Sequence, residues 1–343
     1  SNKYVLILIN GKKLTGDSSN NIDLNRIDMS NVKRIEVLKG AGSALYGSDA
    51  IGGVINIITN QPINDITVTS NTKVEERGQF TQTANVDIKT EKFASYTSYQ
   101  RRQADGWTLT RVDADGEARD QHDANAFYTD NYTQMFQFTP NDKLSMYVEG
   151  SYYDRTVKRQ PEYLKYNLTY DAYSLGAGAK YNFNKRSYIQ FDIKNDNYDT
   201  NYLYTNEDGD NKVGDEVRQK RQHYYSGNLK SLFRFTENTR TIFGVEYIQE
   251  TLDRPSFNVD ERAYTWATYA QEEITLFKNL QIQAGLRYVY HETAKSNVTP
   301  KLAVMYRLGD FTIRGQYSAG FRAPGLDELY KYCLLYTSPS PRD

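Results

Sequence analysis

The sequence is short of several residue types, and each shortage excludes something. Its single cysteine, Cys333, allows no disulfide within the chain, so cysteine usage says little about compartment. The histidines His122, His223 and His291 are scattered and read as separate residues rather than a metal cluster. An excess of either charge is missing: the net charge is −1, which leaves no basic footprint for nucleic acid. Long apolar runs are missing too. The longest, such as Val5 to Ile9, stop far short of the ~20 residues a membrane helix needs. Mean hydropathy is only −0.74.

What is present is aromatic. There are 30 tyrosines and 14 phenylalanines, far too many aromatics for a disordered chain. High tyrosine with low hydropathy suits a membrane β-barrel, where only every second strand residue meets lipid and aromatic girdles mark the interfaces.

The chain is organised around Val32 to Thr59, a strand, a glycine-rich connection and a second strand of β-branched residues. Gly40, Gly42, Gly47, Gly52 and Gly53 crowd the connection. Such a cluster persists where the backbone turns with positive φ or approaches another surface closely. A dinucleotide-binding turn is one alternative, but Leu45 stands where its third glycine belongs and a β-rich run follows. No phosphate-cradling GxxxxGK[ST] occurs, and a plain loop between strands remains the bland alternative.

These residues resemble a known family. Arg34-Ile35-Glu36-Val37-Leu38-Lys39-Gly40, then Ser43 to Gly47, then Ala50 to Thr59, resemble the end of the plug domain of TonB-dependent outer-membrane receptors. Lys33 stands where that pattern usually has an acidic residue, and Ala41 where proline is common. Gly320 to Tyr330, GFRAPGLDELY, resembles a second motif in the barrel, with Gly325 for the usual serine. Ile9-Asn10-Gly11 occupies the family's IDG position. The resemblance implies plug-motif residues Arg34, Glu36, Gly40, Tyr46, Gly47, Gly52, Gly53 and Asn56, and barrel-motif residues Phe321, Arg322, Pro324, Glu328 and Tyr330. Phe321 to Pro324 occurs in haem-receptor signatures and in siderophore receptors alike, so it selects no ligand.

After Gln61-Pro62 the pattern becomes long strands of period 2. Leu280, Ile282, Ala284, Leu286, Tyr288 and Tyr290 share one face, against Gln281, Gln283, Gly285, Arg287 and Val289 on the other. Tyr173 to Phe183 and Phe311 to Tyr317 alternate likewise. About thirteen strands are expected, near 64–77, 79–90, 92–102, 127–138, 143–157, 171–183, 187–204, 221–235, 239–252, 262–276, 279–292, 298–308 and 310–320. Short turns alternate with long polar loops at 103–126, 158–170, 205–220 and 253–261, the asymmetry of an outer-membrane barrel.

The expected fold is mainly β: an incomplete transmembrane antiparallel β-barrel with a partial N-terminal α/β plug. Residues 1–62 would be the end of the plug, 63–330 the barrel, and 331–343 a non-native tail. Both chain ends are expected to be truncated, with the signal peptide and TonB box upstream. No catalytic constellation emerges, so an enzyme is not expected.

The resemblance implies active uptake of a scarce nutrient complex across the bacterial outer membrane: a ferric siderophore, cobalamin or haem. A TonB-type energy-transducing protein, outer-membrane lipid and a small ligand would be the partners. The alternative is a passive channel or adhesion barrel. Two acidic loops, Asp113, Asp115, Glu117, Asp120 and Asp123, and Glu207, Asp208, Asp210, Asp215 and Glu216, read as solvated surface. Calcium there is a minor possibility, implied only by cobalamin receptors of the family.

Overall fold

The computed structural model describes residues 5–13, 22–39, 52–62, 65–112, 117–159, 164–277 and 279–332. Within them are two main sheets and one isolated hairpin.

The small sheet has the order β2-β1-β4-β3. Its strands are β1 (Val5–Ile9), β2 (Lys12–Lys13), β3 (Val32–Lys39) and β4 (Gly53–Thr59). β1 and β4 run parallel, with Leu6 opposite Val54 and Ile9 opposite Ile57. The unbroken apolar run of β1 has a cause: it is buried on both faces. Leu6, Leu8 and Val54 pack on one side, and Ile7, Ile57, Ile22 and Ile27 on the other. Burying each such side chain contributes about 1.5–3 kcal/mol. The Asn10-Gly11 turn between β1 and β2 has positive φ at both residues, 51° and 80°. That is the type I′ geometry that selects Asn-Gly. Two 3-10 turns, Leu24–Arg26 and Met29–Asn31, follow, the first capped by the Asp23 side chain on the Asn25 N–H.

The large sheet has thirteen strands, antiparallel throughout, and ends at β5 on one edge and β19 on the other. It comprises β5 (Ile66–Val74), β6 (Phe80–Lys89), β7 (Phe93–Ala104), β10 (Phe127–Phe138), β11 (Leu144–Val157) and β12 (Tyr166–Asn184). It continues with β13 (Ser187–Tyr204), β14 (Glu216–Phe233), β15 (Thr239–Arg254), β16 (Val259–Leu276), β17 (Leu280–His291), β18 (Lys295–Leu308) and β19 (Phe311–Ser318). β8 (Trp107–Val112) and β9 (Ala118–Ala124) form the separate hairpin. One helix, α1 (Leu326–Tyr332), closes the described chain. No helix of the described residues is long and apolar enough to cross a membrane.

The alternation expected from the sequence is present. Leu286 is 52% exposed and its neighbour Arg287 only 1%. Leu175, Tyr181 and Phe183 are exposed, while Ala172 and Ser174 are buried. On the outer face the apolar residues line up strand by strand: Val148 opposite Ala177, Ala177 opposite Ile193, then Gly227, Tyr247 and Trp266. A contiguous apolar band of this extent on an exterior face marks contact with a membrane or another apolar partner. Nearer the long-loop end a second row crosses the same face: Arg101, Asp130, Asp154, Asp171, Asp199, Arg221, Asp253 and Asp260, each directly opposite the next.

The sequence expectations differ from this structure in the long loops. Residues 103–126 are not a featureless loop but contain β8 and β9. The strands also run further than expected, with β12 beginning at Tyr166, β14 at Glu216 and β16 at Val259. Beyond the apolar band both faces of a strand are polar, so hydrophobic alternation vanishes while the backbone ladder continues. Tyr166 stacked on Tyr202, ring centroids 3.7 Å apart, holds one such extension. At β19 both faces are exposed, because nothing described packs on its inner side.

Candidate functional site at the interface of the two sheets

The small sheet docks on the inner face of the large one. Its contacts reach β7 through Asp28, which accepts from Ser98 (2.7 Å) and Gln100 (2.9 Å). They reach β11 through Lys12 and Glu149, 2.9 Å apart, and β15 through Lys13 and Glu250, 3.9 Å apart. Strands so far apart would lie roughly 29 Å from each other if flat, at ~4.8 Å per strand. One small unit touches them all only because the large sheet curves around it.

The centre of the contact is charged and dry. Arg26 donates to both carboxylate oxygens of Asp196 on β13, at 2.8 and 3.2 Å. Their side chains are 4% and 0% exposed. Asp23 accepts from Tyr153 (2.8 Å) and Tyr198 (3.0 Å) and faces Arg155 at 3.5 Å. Burial pushes the Asp23 carboxyl up, but the bonds from Asn25 and Tyr153 and the charge of Arg155 outweigh it. The group is held below the ordinary carboxylate value.

The plug-motif residues meet around the Asn10-Gly11 turn. Arg34 donates to Glu36 at 2.8 Å, and Asn56 donates to the other Glu36 oxygen at 3.3 Å. The Asn56 side-chain oxygen accepts from the Gly11 N–H at 2.9 Å. Gly53 starts β4 with φ 148°, a conformation side-chain-bearing residues rarely adopt. Gly52 is exposed beside it. Gly40, Tyr46 and Gly47 lie outside the described residues.

The barrel-motif residues lie off the large sheet. Arg322 donates to Glu328 at 2.5 Å, and Glu328 also accepts from the Gly325 N–H at 3.2 Å. Phe321 is half-buried at the start of this loop. Leu326 packs with Leu252 and Ala263, joined by Leu329 and Tyr330. The buried Asp327 faces Arg254 at 3.5 Å and Lys220 at 4.0 Å. Pro324 helps line a cavity of about 310 Å³ between the small sheet and β13 to β17.

The acidic loops are described only in part. Asp113 and Asp115 lie outside the described residues, as do the side chains of Asp120 and Asp123; Glu117 is exposed. Glu207 and Asp210 are exposed, Asp208 pairs with Lys165 at 3.0 Å, and Asp215 accepts from the Lys212 N–H at 2.7 Å. Glu216 accepts from Thr169 at 2.5 Å. Among the described residues no group of three potential ligands gathers to hold a metal.

Sequence reasoning missed Asp23, Arg26, Tyr153, Lys194, Asp196 and Tyr198. The available signal was charge at inward-facing positions, where a water-filled wall and a docked domain look alike.

An apolar outer face, a curved antiparallel wall and a domain docked inside it define the class: a plugged β-wall of the membrane type. The chain belongs to the TonB-dependent receptor family. Residues 78–341 match its TonB dependent receptor-like β-barrel, and residues 1–54 its TonB-dependent receptor plug domain. The chain's place is the bacterial outer membrane. It is 25% identical to the vitamin B12 transporter BtuB of Vibrio cholerae, covering 100% of this chain and 55% of that protein. It is 26% identical to the iron-regulated outer membrane virulence protein of Vibrio cholerae, covering 95% and 51%. The chain thus spans about half the length of the curated relatives it matches. The siderophore receptor PirA from Pseudomonas aeruginosa shares the fold, with TM-score 0.71 and 21% identity over 95% of this chain and 55% of that one.

Proposed function

We propose that this chain serves an energised receptor that takes up a scarce nutrient complex: a ferric siderophore, cobalamin or haem. Residues 1–62 belong to the plug and 63–330 to the barrel wall. The ligand binds from outside, and a TonB-type partner then rearranges the plug to let it pass. The observation that carries this reading is the docked plug itself, tied to the wall by the buried Arg26–Asp196 pair. A passive channel gains nothing from a domain filling its lumen, whereas a gated one needs it. The matched relatives include a protein named for vitamin B12 transport and another named as a ferric enterobactin receptor, which supports the cobalamin and ferric siderophore classes.

The test is uptake in a receptor-deficient cell carrying the full-length receptor. Labelled ferric siderophore, cobalamin and haem are each supplied, with and without the TonB-type partner. One ligand should accumulate, and only with the partner present. Accumulation that persists without the partner means passive passage.

A further inference from the structure

The cavity between plug and wall has a charge imbalance that the docking contacts do not explain. Lys12, Lys13, Lys194 and Lys230 line it, with Asp192, Glu246 and Glu250. Most of the carboxylates are committed elsewhere. Asp192 accepts from Tyr147 (2.5 Å) and Gln190 (2.7 Å), and Glu246 holds Arg287 at 3.0 Å. Glu250 faces Lys13 at 3.9 Å, and Lys12 is taken by Glu149.

Two lysines are left over. Lys194 is 8% exposed, and its ammonium donates to the Lys13 backbone carbonyl at 3.2 Å. Lys230 sits half-buried one strand away. Neither has a carboxylate within ion-pair distance among the described residues. Asp196 and Glu149 act on the Lys194 charge but are held by Arg26 and Lys12, and Asp192 acts on Lys230 against the like charges of Arg240 and Lys180; an ammonium withdrawn from water with no carboxylate of its own is costly. Two of them lining one cavity make a setting that an anion would stabilise. The volume, about 310 Å³, is at the lower end of small-molecule sites, roughly 300–1,000 Å³.

We propose that this chamber binds a compact polyanion of the carboxylate or phosphate class, held by Lys194 and Lys230 of the wall, with the plug's Lys13 carbonyl holding the Lys194 ammonium in place. Because the plug closes one side of the chamber and anchors the Lys194 ammonium, departure of the plug hairpin dismantles the site. The inference rests on the receptor reading only in that the lumen gives access to the chamber.

The experiment is calorimetric titration of the full-length receptor in detergent with citrate and, separately, pyrophosphate. Binding should occur with at least one probe and weaken as salt rises. Lys194→Gln and Lys230→Gln should each weaken it by about tenfold or more, whereas Lys165→Gln, on an exposed loop, should leave it unchanged. Lys194→Arg keeps the charge and should retain binding, so a folding defect in the glutamine variant does not decide the matter. No binding by the wild-type receptor, or equal binding by the glutamine variants, overturns the proposal. Nutrient uptake is scored in the same variants. Slowed uptake identifies the anion as a group on the cargo, and normal uptake with lost binding identifies it as a free anion. A wild-type receptor that imports its nutrient yet binds neither probe sinks the chamber and leaves the receptor reading standing.

Discussion

Arg26 and Asp196 lie 170 residues apart in sequence and form a two-pronged ion pair shut away from water. Cutting one member leaves the other's buried charge without its two-pronged partner. Arg26→Ala should therefore cost about 3–5 kcal/mol. Denaturant unfolding in detergent, followed by fluorescence, measures it. Replacing both residues by apolar ones of similar volume should cost clearly less than either single change. A single-variant cost below about 1 kcal/mol, the range of exposed pairs, would mean the contact is wet.

Asp23 makes docking pH-dependent. Its carboxyl is held below its ordinary value of 3.8 in the folded protein. The stabilisation is complete above that ordinary value and is lost as pH falls through the lower folded one. Tyr153→Phe removes the donor at 2.8 Å. It should cost about 1–2 kcal/mol at neutral pH and let the plug loosen at a higher pH than in wild type. Protease cleavage within residues 22–31, followed as pH is lowered, reads the difference.

The two faces of β17 should be chemically distinct. Cysteine placed at Leu286 should react with a lipid-phase reagent, and cysteine at Arg287 should not. Leu286→Arg should destabilise the wall by about 2–4 kcal/mol if it lies near the bilayer midplane. Equal labelling at both positions would contradict the assigned orientation.

Gly178 has no room for a side chain. A Cβ there would lie 2.4 Å from the Tyr147 ring, 2.6 Å from Asp192 and 2.8 Å from the Phe191 carbonyl oxygen. The carbonyl belongs to the ladder and cannot swing away. Gly178→Ala should cost about 1–3 kcal/mol by overpacking and break the Tyr147–Asp192 bond. A drop in the thermal midpoint is the readout, and an unchanged midpoint would show that the strands part freely there.

The strands of the wall were legible because lipid demands apolar residues on one face only. Leu280 to Tyr290 declares its orientation residue by residue. Trp107 to Ala124 does not, since polar residues occupy both alternating sets of positions and no hydrophobic alternation marks a face. The site divides the same way. Arg34, Glu36 and Asn56 could be singled out by motif, but their link to the Gly11 turn needed the β1–β4 register. Lys194 and Asp196 were hidden because charge facing inward is ordinary for a barrel. Only the docked plug turns those positions into contacts.

The cross-strand row of aspartates meets the membrane's waterline at one of its strands. Asp154 stands six positions along β11 from Val148 in the apolar row. At ~3.3 Å per residue that is about 20 Å of strand, and a tilt of about 40° leaves roughly 15 Å of height. Half the thickness of a ~30 Å hydrocarbon core is the same distance. With Val148 at mid-depth, the Asp154 carboxylate floats at the outer surface and resists being pulled under. Because the strands tilt, directly opposed residues climb the wall by roughly 3 Å of height per strand, so the row crosses the waterline obliquely: pushing the wall deeper submerges its carboxylates one strand at a time, from one end, rather than all together.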